Sequence, residues 1–190
     1  MKNEWDEDVE HSLSVLQKSG IILYPTDTVW GIGCDATDTD AVEKIISLKQ
    51  RPNTKSFVTL VAEEKDILKY VAAPDFALFD YLNTTIKPTT VIYPGAIGLA
   101  ENVLAEDGSV AIRICKEPFC KHLIKRLCKP IISTSANISG TLSPQVFSDI
   151  DRKIIDGVDY IVQYRRNDYR KALPSSIISW ENGNIVTIRE

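Results

Sequence analysis

A chain of 190 residues, 44% hydrophobic and 25% charged, has the composition of an ordinary soluble globular protein. It is long enough to bury about 70% of its unfolded surface in one domain. A formal net charge of −4 argues against a protein whose main work is gripping a nucleic-acid backbone, which needs a basic surface. No apolar run approaches the ~20 residues of a membrane span, and the acidic start Met1 to Asp8 lacks the apolar stretch of a signal peptide, so a cytoplasmic location is expected.

In chain order, residues 6–19 place Val9, Leu13, Val15 and Leu16 on one side and end at Gly20, which predicts a helix with a glycine stop. Ile21–Tyr24 reads as a short buried strand halted by Pro25, and Tyr24 through Gly33 as an apolar run ending in a polar Pro/Gly loop. Residues 39–49 form the second expected helix, with Val42, Ile45, Ile46 and Leu48 inward. Phe57–Val61 is a strand, followed by helices near 64–70 and 75–83. Thr89–Tyr93 and Ser109–Ile114 read as strands, then come a helix at 118–128, a strand from Pro130 to Ser133 and a helix near 147–155. Tyr160–Tyr164, Ser176–Trp180 and Ile185–Arg189 complete the strands, the last two joined by Asn182-Gly183, a strong two-residue hairpin signal. Strands alternating with helices predict an α/β fold with a mixed sheet, over one domain spanning 1–190.

The four cysteines, Cys34, Cys115, Cys120 and Cys128, have no metal-ligand spacing and are expected as buried reduced thiols; no metal site is expected. The two histidines, His11 and His122, fall on predicted helices away from the polar loops, so a histidine-based nucleophilic triad has little support. Two basic clusters stand out, Lys121, Lys125, Arg126 and Lys129, then Arg165, Arg166, Arg170 and Lys171. Both read first as solvated faces and second as contacts for tRNA or a partner.

The chemistry concentrates in three segments. Ile131 to Pro144 is an apolar run opening into a loop with four serines and two threonines, whose hydroxyls and backbone N–H groups suit a phosphate; such a loop is also an ordinary turn composition. Tyr24 to Gly33 is the second. Leu48 to Ser56 is the third, where Pro52 stops a helix and Lys49, Arg51 and Lys55 can converge on an anion or face solvent. There is no G-x-x-x-x-G-K-[ST] loop.

Pro25-Thr26-Asp27-Thr28-Val29-Trp30-Gly31, Lys49-Gln50-Arg51-Pro52, Val110-Ala111-Ile112-Arg113, Pro130 through Pro144 and Pro174-Ser175-Ser176 occur in the order found in the YrdC-like family, which the chain resembles over roughly residues 8–190. The resemblance is to its threonylcarbamoyl-AMP-forming members, in the short form without an extra C-terminal domain. It implies a twisted open mixed sheet flanked by helices around a large concave cleft. The implied reaction joins L-threonine, bicarbonate or CO2, and ATP, with Mg2+ on the phosphates, into L-threonylcarbamoyl-AMP and pyrophosphate. That product feeds N6-threonylcarbamoyladenosine formation beside the anticodon of tRNAs reading codons that begin with A, through downstream threonylcarbamoyl transferase proteins.

Carried over by motif, Arg51, Lys55, Ser135, Ser143, Arg189 and also Ser109 are ATP positions, and Thr28, Arg113, Ser133 and Ser175 are threonine positions. Lys49 is expected at the phosphates, where with Arg51 it carries the catalytic charge stabilisation, and Asn137 at the nucleotide. Arg113 follows an apolar strand, where an unpaired cation is costly; a ligand carboxylate or an internal Asp or Glu would pair it. Departures from the pattern are Trp30 for tyrosine, Leu60 at a position that can be histidine, and Lys87-Pro88-Thr89-Thr90 for a Pro-Gly-Pro-x-Thr. The chain also stops one residue after Arg189, where fraying would weaken an ATP contact. The alternative function is a non-catalytic RNA-binding module of the same fold.

Overall fold

The computed structural model describes residues 3–50, 57–181 and 183–190. In chain order they form α1 (Asp6–Leu16), β1 (Ile22–Tyr24), β2 (Gly31–Gly33), α2 (Thr39–Lys49), β3 (Val58–Val61), α3 (Glu64–Ile67), α4 (Ala77–Thr84), β4 (Thr89–Tyr93), β5 (Val110–Ile114), α5 (Pro118–Leu127), β6 (Ile131–Ser135), α6 (Arg152–Gly157), β7 (Tyr160–Ile161), β8 (Ser176–Glu181) and β9 (Asn184–Arg189). Among the described residues nine strands make one sheet in the order β7-β1-β2-β6-β3-β5-β4-β8-β9. It is mixed: β1 runs parallel to β7, β3 to β5 and β4 to β8, and the other neighbours are antiparallel.

Alternation along the strands gives the two faces different fates. Ile132, Thr59, Ile112, Val91 and Ile178 lie in one register row, and all but Thr59 join the main apolar cluster. Ala41, Val42 and Ile45 of α2, Leu78 and Phe79 of α4, and Ile154 of α6 pack into the same cluster. On the opposite face, Ile22, Tyr24, Leu60 and Ile131 meet Val9, Leu13 and Leu16 of α1 and Phe119, Leu123, Ile124 and Leu127 of α5 in a second cluster. That cluster occupies only part of its face. The row that starts at Ile131 and Leu60 continues through Arg113, Thr90, Ile177 and Arg189, passing from oil to polar groups.

Local chemistry sets the element ends. The Asp38 side chain accepts the Asp40 and Ala41 amides at the start of α2, and Gln50 ends that helix in the left-handed conformation. Glu117 accepts the Cys120 amide at 2.9 Å, with Pro118 opening α5. Glu181 pairs with Asn184, leaving the expected two-residue hairpin loop, in which Gly183 has φ +79° and Asn182 lies outside the described residues.

Four expectations are corrected. The segment 31–33, read as loop, is strand β2, because glycine allows close approach there. A Cβ on Gly33 would stand 2.5 Å from the Ile132 carbonyl oxygen and 2.6 Å from Tyr24 Cε1. The helix near 147–155 is split into a 3-10 turn at 147–149 and α6, which Asp151 caps through the Lys153 amide. The strand at 160–164 stops at Ile161, because the Gln163 and Tyr164 amides turn to the Asp8 carboxylate at 2.8 and 2.9 Å. Cys34, Cys115 and Cys120 are buried free thiols, but Cys128 is exposed at the end of α5. The two basic clusters keep exposed or half-exposed side chains and also carry ion pairs: Arg126 meets Glu10 at 2.9 Å, Lys125 meets Glu63, Lys129 meets Asp35, and Arg165 and Arg170 share Asp168. No helix among the described residues is long and apolar enough to cross a membrane.

Asp8 is a buried joint between the two ends of the fold, since its carboxylate also accepts the Tyr160 hydroxyl at 2.6 Å. Asp8→Ala leaves three donors without their acceptor and is expected to lower unfolding stability by about 3 kcal/mol. Denaturant melts of the two proteins measure this; a change under about 0.5 kcal/mol, the size of an ordinary surface substitution, would contradict it.

Candidate functional site

Where the second cluster ends, a cavity of about 440 Å³ opens on the polar part of the sheet face, within the size range of small-molecule sites. It draws on six regions far apart in sequence: the loop between β1 and β2, strand β3, strand β5, the end of β6 with the loop after it, the approach to β8, and the end of β9. Gly31 keeps its floor open: a Cβ there would come within 3.2 Å of Ser133 Oγ.

All four residues carried over as threonine positions, Thr28, Arg113, Ser133 and Ser175, border this cavity, and so do Ser135, Ser143 and Arg189 from the ATP group. Ser109, Asn137 and Lys49 do not border it. Ser109 is buried at the start of β5, where its amide takes the Asp107 carboxylate at 3.0 Å. Arg51 and Lys55 lie outside the described residues. Sequence reasoning missed the apolar walls Val29, Val58, Pro174 and Ile177, whose side chains carry no chemical signature.

Arg113 is 4% exposed and already has an internal carboxylate. Its Nη2 stands 3.0 Å from Asp27 Oδ1 and donates to Thr28 Oγ1 at 3.2 Å. Asp27 is itself held by the Lys116 amide, which donates to Oδ2 at 3.1 Å. The expected choice between internal partner and ligand therefore resolves into a guanidinium anchored on one side by Asp27 and bordering the cavity. Its Nε is buried with no partner among the described residues. An arginine has five donors in a fixed fork, so capacity for a ligand anion remains.

Arg189 is held rather than frayed: Nε and Nη2 donate to the Ser175 carbonyl at 3.2 and 2.8 Å. Burial, and then the nearby charge of Arg113, lower its pKa from the usual arginine value. Two guanidiniums this close disfavour each other, and no carboxylate among the described residues borders the cavity. The Ser175 hydroxyl is 2.8 Å from Thr90 Oγ1, and Thr90 stands in register between Arg113 and Ile177.

The loop after β6 is braced from below. Lys49, 2% exposed at the end of α2, donates through Nζ to the Ser135 carbonyl and, at 2.6 Å, to the Asn137 carbonyl. Asn137 accepts the Ser135 hydroxyl at 2.5 Å and donates to the Ile138 and Thr141 carbonyls at 3.1 and 2.7 Å. The side chains expected at the phosphates and the nucleotide are therefore engaged in shaping the loop, as the short reach of asparagine in a tight turn favours. Leu60 is fully buried in the second cluster and offers no polar contact, while Trp30 packs on Phe147 at 4.9 Å in the main one.

An open mixed sheet with helices on both faces, and a serine- and arginine-bordered cavity of small-molecule size on its polar part, define an α/β protein with a cationic, hydroxyl-rich candidate site. The Sua5/YciO/YrdC family model, described as telomere recombination, matches residues 14–190, and the chain belongs to that family. It is similar to a threonylcarbamoyl-AMP synthase of Idiomarina loihiensis, 32% identical over 148 residues covering 76% of this chain and 80% of the relative. A putative threonylcarbamoyl-AMP synthase of Methanocaldococcus jannaschii is 34% identical over 170 residues, 90% of this chain and 79% of the relative. Among solved structures, E. coli YciO superposes with TM-score 0.84 at 23% identity, covering 100% of this chain and 91% of that one. P. abyssi Sua5 complexed with L-threonine gives TM-score 0.84 at 19% identity over 99% of this chain, which spans 55% of the Sua5 chain. At these identities the structural likenesses establish the fold.

Proposed function

We propose that this chain is an enzyme that makes L-threonylcarbamoyl-AMP. The amine of L-threonine adds to CO2, supplied as such or from bicarbonate, to give a carbamate. A carbamate oxygen attacks the α-phosphorus of ATP, the bond to the bridging oxygen of pyrophosphate breaks, and pyrophosphate leaves. The observation that carries this reading is the meeting of Thr28, Arg113, Ser133 and Ser175 with Ser135, Ser143 and Arg189 around one cavity. The curated relatives named threonylcarbamoyl-AMP synthase support it.

In this reading Arg113 pairs the threonine carboxylate, and Ser135, Ser143 and Arg189 hold ATP. Arg51 and Lys55 keep their assignment to the phosphates from the family motif alone. Adenylyl transfer needs aligned reactants and stabilised charge more than a protein nucleophile, which suits a site of hydroxyls and cations. Magnesium enters with ATP, held by phosphate and water oxygens. Among the described residues no group of three or more His, Cys, Asp or Glu side chains is arranged to hold a metal. The product passes, in the cytoplasm, to threonylcarbamoyl transferase proteins that act on tRNA.

Isotope exchange between pyrophosphate and ATP tests the reading. Exchange that requires both threonine and bicarbonate is expected. Exchange with threonine alone would indicate an aminoacyl-adenylate former, and its absence under all conditions would indicate a binding module.

The pocket also predicts substrate choice. Serine should still react, because one methyl group changes a pocket interaction by about 1–3 kcal/mol. Valine keeps the branched shape but loses the hydroxyl, so buried polar partners go unpaired and it should be rejected more strongly. Turnover numbers for the three amino acids decide this; valine matching threonine would contradict the polar pocket.

A further inference from the structure

We infer that Thr26, a residue outside the cavity, fixes the direction of the Thr28 hydroxyl and makes Thr28 a hydrogen-bond acceptor toward the ligand. The inference rests on the reading of the cavity as an amino-acid site and assigns the polarity of one of its contacts. The ligand atom seated on Thr28 is then a donor, the N–H of the amino acid or its side-chain O–H, and not a carboxylate oxygen.

The direction of the Thr28 hydroxyl follows from the protons available in the loop. A hydroxyl has one proton to donate. Thr26 is 1% exposed and does not border the cavity. Its Oγ1 lies 2.9 Å from the Val29 carbonyl oxygen, and a carbonyl only accepts, so the Thr26 proton is committed there. The same oxygen accepts the Thr28 amide at 2.9 Å and stands 3.0 Å from Thr28 Oγ1. With the Thr26 proton engaged, that last contact is a hydrogen bond only when Thr28 donates. Arg113 agrees, since its Nη2 donates to Thr28 Oγ1 at 3.2 Å and a guanidinium cannot accept. The Thr28 proton therefore points into the loop, and what it offers the cavity is lone-pair density.

This polarity divides the amino acid between two contacts. A carboxylate at Thr28 would set acceptor against acceptor, whereas Arg113, bordering the same cavity, is a cation that carries only donors. The carboxylate belongs at Arg113 and a donor belongs at Thr28. For Thr90 with Ser175, no carbonyl among the described residues decides the direction, so no polarity follows there.

Calorimetric titration of threonine in the absence of ATP tests this with wild type, Thr26→Val, Thr26→Ser, Thr28→Val and the Thr26→Val/Thr28→Val double variant. Thr26→Val should weaken threonine about 10-fold, the size of one hydrogen bond, with ATP affinity unchanged. Thr26→Ser, which keeps the hydroxyl, should bind within about 2-fold of wild type, well under the cost of one such bond. Because Thr26 acts through Thr28, the double variant should bind no more weakly than Thr28→Val alone. L-2-aminobutyrate, which lacks the hydroxyl, separates the two donors: equal binding to wild type and Thr26→Val marks the side-chain O–H, and a loss equal to that for threonine marks the amine.

Additive losses in the double variant, or unchanged threonine affinity in Thr26→Val, would overturn the inference. If Thr26→Val does not fold, Thr26→Cys replaces it, with a smaller loss expected from its weak donor. A wild type that binds threonine while the losses add would leave the amino-acid site standing and remove only the polarity. A wild type that does not bind threonine removes both.

Discussion

Arg113→Ala is expected to lower stability by about 3–5 kcal/mol and to remove measurable threonine binding, because one side chain serves two partners. The Asp27 carboxylate is 8% exposed and stands 3.0 Å from the guanidinium, so deleting the arginine strands a buried charge. The cavity loses its anion anchor in the same step. The two losses are separable. Adding Asp27→Asn removes the stranded charge and should recover most of the stability, while threonine binding stays lost. Arg113→Lys should keep much of the stability, since a cation still faces Asp27, but raise the threonine KM strongly by losing the planar fork. Melts and threonine titrations on the three variants check this. A stable Arg113→Ala protein, or one that binds threonine normally, would contradict the dual role.

The second large effect concerns Lys49. Its ammonium sits under the loop after β6 and satisfies the Ser135 and Asn137 carbonyls from below. Lys49→Met keeps the length of the stem but no donor, leaving two buried carbonyls short of a charged partner. Activity should fall at least about 100-fold, the scale of losing one aligned electrostatic group. Stability should drop by about 2–4 kcal/mol, as expected for hydrogen bonds to a charged donor. Threonine binding measured without ATP should change much less, because Thr28, Arg113 and Ser175 do not depend on that loop. Near-wild-type turnover in Lys49→Met would show that the loop holds its shape without the lysine.

Much of the fold was legible where side chains carry the signal. Val110-Ala111-Ile112-Arg113 and Thr89 to Tyr93 read as strands because β-branched residues fit a buried pleat, and α2 spans the expected residues 39–49. Strand β2 was not legible, because Gly31-Ile32-Gly33 has poor strand propensity and is extended only to let Tyr24 and β6 come close. The shortened strand at 160 depends on Asp8, about 150 residues away, which no local pattern reveals.

The site divides the same way. The need of Arg113 for a partner followed from its apolar strand, but Asp27 as that partner required the loop to be folded over β5. The bracing roles of Lys49, Thr26 and Thr90 come from register and burial, and a cation beside a phosphate motif looks the same in sequence whether it faces the ligand or the underside of a loop.

The fate of the bicarbonate carbon tests the proposed reaction without intermediaries. The protein is incubated with MgATP, L-threonine and 13C-labelled bicarbonate, and the nucleotides are separated and analysed by mass spectrometry. A nucleotide is expected whose mass equals AMP joined to a threonylcarbamoyl group carrying one 13C, formed in step with pyrophosphate and absent when threonine is omitted. ATP turnover yielding only unlabelled nucleotides, or no turnover with threonine bound, would contradict the proposed reaction.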